Sequence, residues 1–411
     1  MEQTLADIWQ ETLGIEQVGI QDNFFELGGD SVVGIQMIAR FKRAGYQLSP
    51  QQLFQNQTIT ELAASLGAAE PVRTEQGIVT GPAPLTPSQH WFFEQNLPEP
   101  HHFNQAMLFD VHPIRDRAVD PSLLETSVGH LLEHHDALRL RFERTDSGWR
   151  QTNAGAGDAV PFTRIDLSHL TGAEQEAARE AKAAELQASL NLGNGPLAHF
   201  ALFDLGPGKA RQLLIVIHYL VFDNVSWWIL LADLDTAYQQ LSRNEAIQLP
   251  YKTSSYKQWA ERLTDFAQSA ALVRDEAAYW TAESRRQTKG LPVDLASGSG
   301  TAGSAGIVSV SLDADETATL LHEVPQVYHA VVNDFLLTAL AKAFAGWTGQ
   351  RSLLIDLEDH GREAIFEDLD LSRTVGSFRA VYPMLLEPNA SQGPGEALKS
   401  IKEQLRRVPK G

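Results

Sequence analysis

The first residues that could do chemistry lie in the segment DNFFELGGDSVV, at residues 22–33. Ser31 follows Gly29 and Asp30 and stands where an amphipathic run of apolar residues begins. Glycine leaves the approach to the hydroxyl open, and the first turn of a helix exposes N–H groups rather than carbonyls. Ser31 could therefore carry a covalently attached group. It could equally be the N-cap of the helix, which is the commoner role of a lone serine at such a position.

A second group of titratable residues follows an apolar stretch, LLIVIHYLVFDNVSWWIL, at residues 213–230. The apolar run predicts a buried strand that ends at His218 and Tyr219. Asp223 follows, and a helix is predicted to open near Ser226. The sequence thus predicts an imidazole, a phenol and a carboxylate at one strand end.

Two histidine pairs offer weaker candidates. His101-His102 follows two prolines and is expected on a solvated loop, whereas His134-His135 sits on a helix that runs into a strand, where structural roles are expected for both rings. The chain has no cysteine. Without a thiolate, and with structural roles expected for the paired histidines, we expect no metal site.

The elements around these residues divide the chain into domains. Apolar residues at helical spacing predict a small helical domain over residues 1–66, in three runs: Leu5, Ile8, Trp9 and Leu13; Val32, Ile35, Ile38 and Phe41; Ile59, Leu62 and Leu66. Residues 67–84 show no regular spacing of apolar residues and are predicted to form a linker. The remainder predicts two lobes, residues 85–260 and 261–411, with a Gly/Ser-rich loop at 294–306.

The long second domain alternates strand-like and helix-like segments, which predicts an α/β or α+β fold around a sheet. The predicted strands are 106–111, 138–144, 213–217, 307–311 and 353–356. The predicted helices are 88–95, 121–136, 172–190, 226–242, 255–267, 270–285, 314–323, 331–346 and 395–406. Both chain ends look cut, which predicts a segment of a larger polypeptide.

Composition excludes several classes of function. Acidic residues outnumber Lys and Arg by 52 to 33, a net charge of −19, which argues against nucleic acid or an anionic membrane as the main partner. No apolar run approaches the ~18 residues of a membrane span, and no signal peptide opens the chain. The absence of cysteine fits a cytoplasmic protein. Any thiol chemistry would need a borrowed thiol.

The first motif, with the Phe24-Phe25 pair and the helix after it, resembles the phosphopantetheine attachment site of a peptidyl carrier (thiolation) domain in nonribosomal peptide synthetases. The resemblance covers residues 2–66 and implies that Ser31 carries 4′-phosphopantetheine, beside Gly29 and Asp30. That group supplies the missing thiol. The implied partners are a phosphopantetheinyl transferase, an upstream adenylation domain and a downstream condensation domain.

The second domain resembles the condensation superfamily, whose signature is His-His-x-x-x-Asp-Gly, and more specifically its epimerization subtype. The resemblance is carried by residues 85–95, 134–142, 213–230, 251–263, 332–340, 356–365 and 372–386. It implies two chloramphenicol-acetyltransferase-like lobes and a tunnel for the carrier arm. The fold class expected for the whole chain is therefore a small all-α four-helix carrier domain followed by an α/β two-lobed domain whose last lobe is incomplete.

The resemblance also assigns roles. An epimerase needs a base to remove the Cα proton and an acid on the opposite face to return it. The first histidine falls on His218, the base-type second histidine on Tyr219, the structural acid on Asp223 and the opposing carboxylate on Glu358. Further motif support is expected from Asn224, Ser226, His360, Arg362, Glu363, Arg373 and Tyr382.

Four residues depart from the family pattern: Tyr219 for histidine, Asn224 for glycine, Trp228 for arginine and Ser377 for tryptophan. The reference pKa of Tyr lies about 3.5 units above that of His, so a phenolate base is disfavoured by roughly 4–5 kcal/mol at neutral pH. No nearby Lys or Arg in the sequence indicates a field that would offset this. Asn224 tolerates a left-handed backbone, so the turn is expected to persist.

Three functions stay open. The domain could be a non-catalytic interface platform that presents the loaded carrier to a tailoring enzyme acting in trans, such as a β-hydroxylase. It could be a working epimerase that relies on Glu358. The third possible function is that of a peptide-bond-forming condensation domain. The loss of the second histidine argues against this function.

Overall fold

The computed structural model describes the chain except residues 16, 26, 30–32, 35–36, 38–39, 42–43, 45, 47, 49–51, 54–55, 67–73, 113–118, 158, 287, 295–299, 329, 364, 367, 389–392 and 410–411. The chain forms two units. One comprises Met1–Glu70, Ala270–Leu357 and Val381–Gly411, and the other Pro71–Ser269 and Glu358–Ala380. Among the described residues, no helix combines the length and apolarity that crossing a membrane requires.

The carrier segment of the first unit has its own hydrophobic core. Helices α1 (Glu2–Leu13) and α2 (Ile59–Ser65) contribute Leu5, Trp9 and Leu62, and a turn at Phe24 adds its buried ring. Thr58 and Glu61 form a capping box that fixes the start of α2. Several predicted carrier residues lie outside the described residues: Asp30, Ser31, Val32, Ile35 and Ile38.

The second unit is built on two sheets. Its larger sheet has the order β2 (Asn104–Val111), β7 (Arg211–His218), β6 (Ala198–Asp204) and β5 (Phe162–Asp166), in which only β5 and β6 run parallel. The smaller sheet joins β1 (Gly81–Ala83), β4 (Gly148–Asn153) and β3 (Leu140–Thr145). The helices of this unit are α3 (Pro87–Glu94), α4 (Pro121–His134), α5 (Gly172–Ala188), α6 (Asn224–Ser242) and α7 (Tyr256–Ala267).

Strand β7 is buried on both faces, which explains its continuous apolar run. Ile215 and Ile217 face the main core, which also holds residues of α4 and α6. Leu214 and Val216 face a second cluster formed with Leu186 of α5. A strand held this firmly fixes the position of the residues at its carboxyl end.

The remaining part of the first unit pairs strands β8 (Leu353–Asp359) and β9 (Ala380–Leu386). Its core includes Ala341 of α12 (Val332–Thr348) and Ile401 of α13 (Pro394–Arg406). The shorter helices of this unit are α8 (Ala270–Trp280), α9 (Glu283–Arg286), α10 (Ala314–Ala318) and α11 (Val324–Tyr328), with a π turn at Thr319–Glu323.

Three sequence-based expectations can be compared with the structure. Residues 307–311 form no strand, because no described strand pairs with them, and Ile307 is 91% exposed. Within the predicted linker 67–84, residues Gly81–Ala83 form β1, which pairs with β4. The lobes predicted at 85–260 and 261–411 stay a prediction, and the two units divide the chain differently, with residues 358–380 in the second unit.

Candidate functional site

The candidate site is built in the second unit, where β7 ends. His218 is the last residue of β7, a single 3₁₀ turn follows at Tyr219–Val221, and Asp223 caps α6. Asp223 accepts a 2.8 Å hydrogen bond from the backbone N–H of Ser226. Side-chain caps of this kind stabilise a helix start by about 1 kcal/mol. The strand, turn and cap therefore hold the motif residues at fixed positions.

His218 is buried, and both of its ring nitrogens have backbone partners. Nε2 lies 2.9 Å from the carbonyl oxygen of Pro100, and Nδ1 accepts from the N–H of Leu220 at 3.2 Å. Burial lowers the pKa of His218 to about 4, so the ring stays neutral at pH 7. The arrangement gives His218 a positioning role, because neither nitrogen is left to exchange a proton.

Asp223 forms a buried ion pair with Arg362. The guanidinium Nε lies 3.1 Å from Oδ2, and Nη2 lies 2.9 Å from both carboxylate oxygens. Arg362 also donates to the carbonyl oxygens of Leu371 and Thr374. Ser226 donates to Asp223 at 2.7 Å. This network fastens the loop after β8 to the start of α6.

Tyr219 and Glu358 come together directly. The phenol oxygen donates to the two carboxylate oxygens of Glu358 at 3.1 and 3.4 Å. Burial, with the Glu358 charge, raises the pKa of Tyr219 to about 12. The phenol is therefore protonated at neutral pH and acts as a donor rather than a base.

Arg379 completes this group, and the sequence reasoning missed it. Its Nη1 donates to Glu358 at 3.1 Å, and its guanidinium carbon lies 3.5 Å from the centroid of the Tyr219 ring. No Lys or Arg close to Tyr219 in the sequence indicates this contact, which the fold supplies. Because Arg379 is distant in sequence from Tyr219, the only available signal was an arginine two residues after the unusual Ser377.

The other departures from the family pattern lie at the start of α6 and before β9. Asn224 is the first residue of α6 and does not have a positive φ, so the turn does not need a left-handed backbone there. Trp228 is largely exposed on α6, whereas Ser377 is buried and its carbonyl accepts from Tyr256.

A separate cluster lies at the base of α4. His135 Nε2 is 3.1 Å from the carboxylate of Asp233, which also pairs with Arg373. His134 adjoins them, and burial lowers its pKa to about 4. The arginine already balances the Asp233 charge, so the cluster acts as an internal ion pair that ties the chain near Arg373 to α6.

The remaining candidates lie near the site or apart from it. His360 accepts from the backbone N–H of Arg362 at 3.0 Å, and Glu363 lies 3.7 Å from His360. Both side chains are exposed. Tyr382 belongs to the other unit, where its ring contacts Trp280. Within the second unit the structure therefore groups His218, Tyr219, Asp223, Ser226, Glu358, His360 and Arg362.

On the carrier, Gly29 precedes the predicted attachment residue. A Cβ on Gly29 would lie 2.4 Å from Cζ of Phe24, so only glycine fits against this buried ring. Its N–H donates to the Phe24 carbonyl at 2.9 Å. In the sequence Gly29 directly precedes Asp30 and Ser31, which lie outside the described residues.

Comparison with known proteins matches two families. Residues 3–66 match the phosphopantetheine attachment site, so this domain carries 4′-phosphopantetheine. Residues 79–411 match the condensation domain. The curated relatives include a linear gramicidin synthase from Brevibacillus parabrevis, which is 48% identical over 100% of this chain. The chain spans only 5% of that protein's length.

Solved structures narrow the family. The epimerization domain from the third module of tyrocidine synthetase B is 37% identical, with a TM-score of 0.74, over 83% of this chain and 74% of that one. The first condensation domain of the calcium-dependent antibiotic synthetase shares the fold at 21% identity and a TM-score of 0.62, over 79% of this chain and 73% of that one. The chain therefore belongs to the condensation-domain family of nonribosomal peptide synthetases, in its epimerization-like branch, and is preceded by a phosphopantetheine carrier domain.

Proposed function

We propose that this chain holds an aminoacyl or peptidyl thioester on phosphopantetheine at Ser31, and that its condensation-fold domain acts mainly as a non-catalytic interface platform. In this role it presents the loaded carrier to a tailoring enzyme acting in trans, such as a β-hydroxylase. A phosphopantetheinyl transferase loads the arm, and adenylation and condensation domains act before and after it. The proposal concerns one step of nonribosomal peptide synthesis.

The observation that carries the proposal is the closed hydrogen bond between Tyr219 and Glu358. Racemisation at Cα requires one group to remove a proton and a second, on the opposite face, to return it. A phenol with a pKa near 12 is too weakly acidic to supply a base at neutral pH. Tyr219 and Glu358 also touch each other, which leaves no gap for a Cα atom between them.

The second candidate, an active epimerase, is favoured by a different observation. The Glu358 side chain is 48% exposed, so this carboxylate is accessible. The 37% identity to the tyrocidine epimerization domain points the same way. In this alternative Glu358 moves the proton, and Tyr219, if it takes part, serves as the acid.

The two candidates differ in what restoring the histidine should do. We expect Tyr219→His to gain conversion of an L-aminoacyl thioester to the D form, because an imidazole titrates near neutral pH. The L:D ratio is measured by chiral chromatography after hydrolysis from the arm. Tyr219→Phe, which keeps the ring and removes the hydroxyl, is the matched control.

If the unchanged protein already produces the D form and Tyr219→His adds nothing, the platform proposal is wrong. A gain confined to Tyr219→His supports it. If Tyr219→His folds but stays inactive, Arg379 would be blocking the site as well. The double variant Tyr219→His with Arg379→Gln tests this, because it should then gain activity.

A further inference from the structure

Arg379 has an unused hydrogen-bonding edge. The residue is only 8% exposed, and Nη1 is occupied by Glu358. Nε and Nη2 are buried and have no hydrogen-bond partner among the residues that the structure describes. A buried cationic donor without a partner is unfavourable, so this edge is built to receive an acceptor.

A second arginine, Arg362, shows which group such an edge can bind. Arg362 uses the same two nitrogens, Nε and Nη2, to hold the carboxylate of Asp223 at 2.9–3.1 Å. That side-on fork matches the two oxygens of a carboxylate, which a neutral amide cannot reproduce. In Arg379 the same two nitrogens, Nε and Nη2, have no carboxylate partner among the described residues.

The local charge leaves room for a second carboxylate. Among the described residues, two ion pairs lie at the site: Arg379 with Glu358, and Arg362 with Asp223. Asp359 and Glu363 are exposed beside His360. Since the Glu358 side chain is 48% exposed, water screens its charge and weakens its hold on the guanidinium. Glu358 also lies beside Arg379, which places the guanidinium one side chain below the surface of this unit.

We propose that Arg379 is a specificity residue whose Nε/Nη2 edge binds the side-chain carboxylate of an acidic aminoacyl group, aspartyl or glutamyl, carried on the phosphopantetheine arm. Because the edge is covered, access requires rotation of the flexible arginine stem. This inference rests on the proposed function, to which it adds that the loaded carrier places its acyl group in this domain. It does not depend on whether the group is then epimerised.

The test measures equilibrium binding to the full chain with Ser31 unloaded, at pH 7. The probes are stable amide analogues of aspartyl-pantetheine and asparaginyl-pantetheine, which differ in charge but scarcely in shape. We expect the aspartyl probe to bind about tenfold more tightly, as for one charge-assisted pair. Free aspartate, the third probe, should bind more weakly than the aspartyl analogue.

Three variants complete the design. Arg379→Gln should abolish the preference, Arg379→Lys should retain part of it, and Arg144→Gln, at an exposed arginine of β3, should leave it unchanged. Circular dichroism and the denaturation midpoint check folding. If Arg379→Gln does not fold, the ratio of the two probe affinities in the unchanged protein and in Arg379→Lys still tests the inference.

Equal binding of the two analogues, or no binding of either, would overturn the inference. A preference that survives Arg379→Gln would place the carboxylate site elsewhere. Free aspartate binding as tightly as its pantetheine analogue would overturn the assignment to a carrier-borne group. The non-catalytic proposal is tested by racemisation, whereas this inference is tested by binding, so the failure of one can be told from the failure of the other.

Discussion

At the scale of single residues, the site pairs each charge with an opposite one and leaves one edge of Arg379 without a partner among the described residues. Asp223 is fully engaged by Arg362 and Ser226, while Glu358 is shared by Tyr219 and Arg379. His218, buried between backbone partners, keeps the strand end in place. Tyr219, at the position of the second histidine in the family pattern, therefore acts as a hydrogen-bond donor to Glu358.

The first prediction concerns the ionisation of Tyr219. Because its pKa is raised to about 12, Tyr219 should remain a phenol at pH 10, where an ordinary tyrosine is about half ionised. Glu358→Gln removes a negative charge and should lower the pKa, whereas Arg379→Gln removes a positive charge and should raise it. NMR of ¹³Cζ-labelled tyrosine, with Tyr219→Phe to identify the signal, measures the shift.

A Tyr219 signal that titrates at or below pH 10 in the unchanged protein would contradict this description. Shifts in the same direction for both charge-removing variants would show that solvent exposure, rather than the two charges, controls the phenol.

The second prediction concerns the buried ion pair. Asp223→Asn leaves Arg362 buried without its counter-charge, which costs about 3–5 kcal/mol of unfolding free energy. Asp368→Asn is the matched control, because Asp368 forms an exposed pair with Arg262 at 3.0 Å. Such pairs contribute about 0–1 kcal/mol. Chemical denaturation should separate the two variants, and equal losses would argue against the anchoring role of Asp223.

At the scale of elements, the site depends on the loop that follows β8 and returns to β9. Gly361 has φ 63°, and a Cβ there would lie 1.9 Å from the carbonyl oxygen of Phe378. Only glycine allows this close approach of backbone to backbone. The approach brings Arg362 to Asp223 and Arg379 to Glu358, so the loop assembles both pairs at once.

The third prediction tests that loop. Gly361→Ala should lower the free energy of unfolding by about 2 kcal/mol or more, since strain at positive φ adds to the steric clash. Gly346→Ala is its control: Gly346 lies inside α12, and a Cβ there meets nothing within 4 Å. That change should be neutral or stabilising by up to about 1 kcal/mol. Denaturant midpoints decide, and a Gly361→Ala variant as stable as the parent would refute the close approach.

The elements also show what local sequence determines. Helices α5 and α6 lie within a few residues of their predicted bounds, because both have apolar periods and α6 is also capped by Asp223. Strand β4, GWRQTN, was missed because its polar residues give no strand pattern, and its pairing with β1 and β3 supplies the stability. Residues 307–311 show the converse, since branched residues predicted a strand for which no described partner exists.

At the scale of the whole molecule, the motifs identified both domains and the attached cofactor, because GGDS and the strand-end motif are local in sequence. They identified Tyr219, Asp223 and Glu358 as candidates for the same reason. They could not reveal that Arg379 stacks on Tyr219, since that contact joins segments 160 residues apart. The contact that distinguishes this site is thus a property of the fold.

The central claim is that the condensation-fold domain does not deprotonate the acyl group it receives. The measurement is Cα hydrogen exchange: Ser31 is loaded with an aminoacyl-phosphopantetheine, the protein is incubated in D₂O, and the arm is ejected and weighed by mass spectrometry. We predict no deuterium gain above the Glu358→Gln control. Deuterium gain in the unchanged protein that disappears in Glu358→Gln would contradict the account and establish an active epimerase.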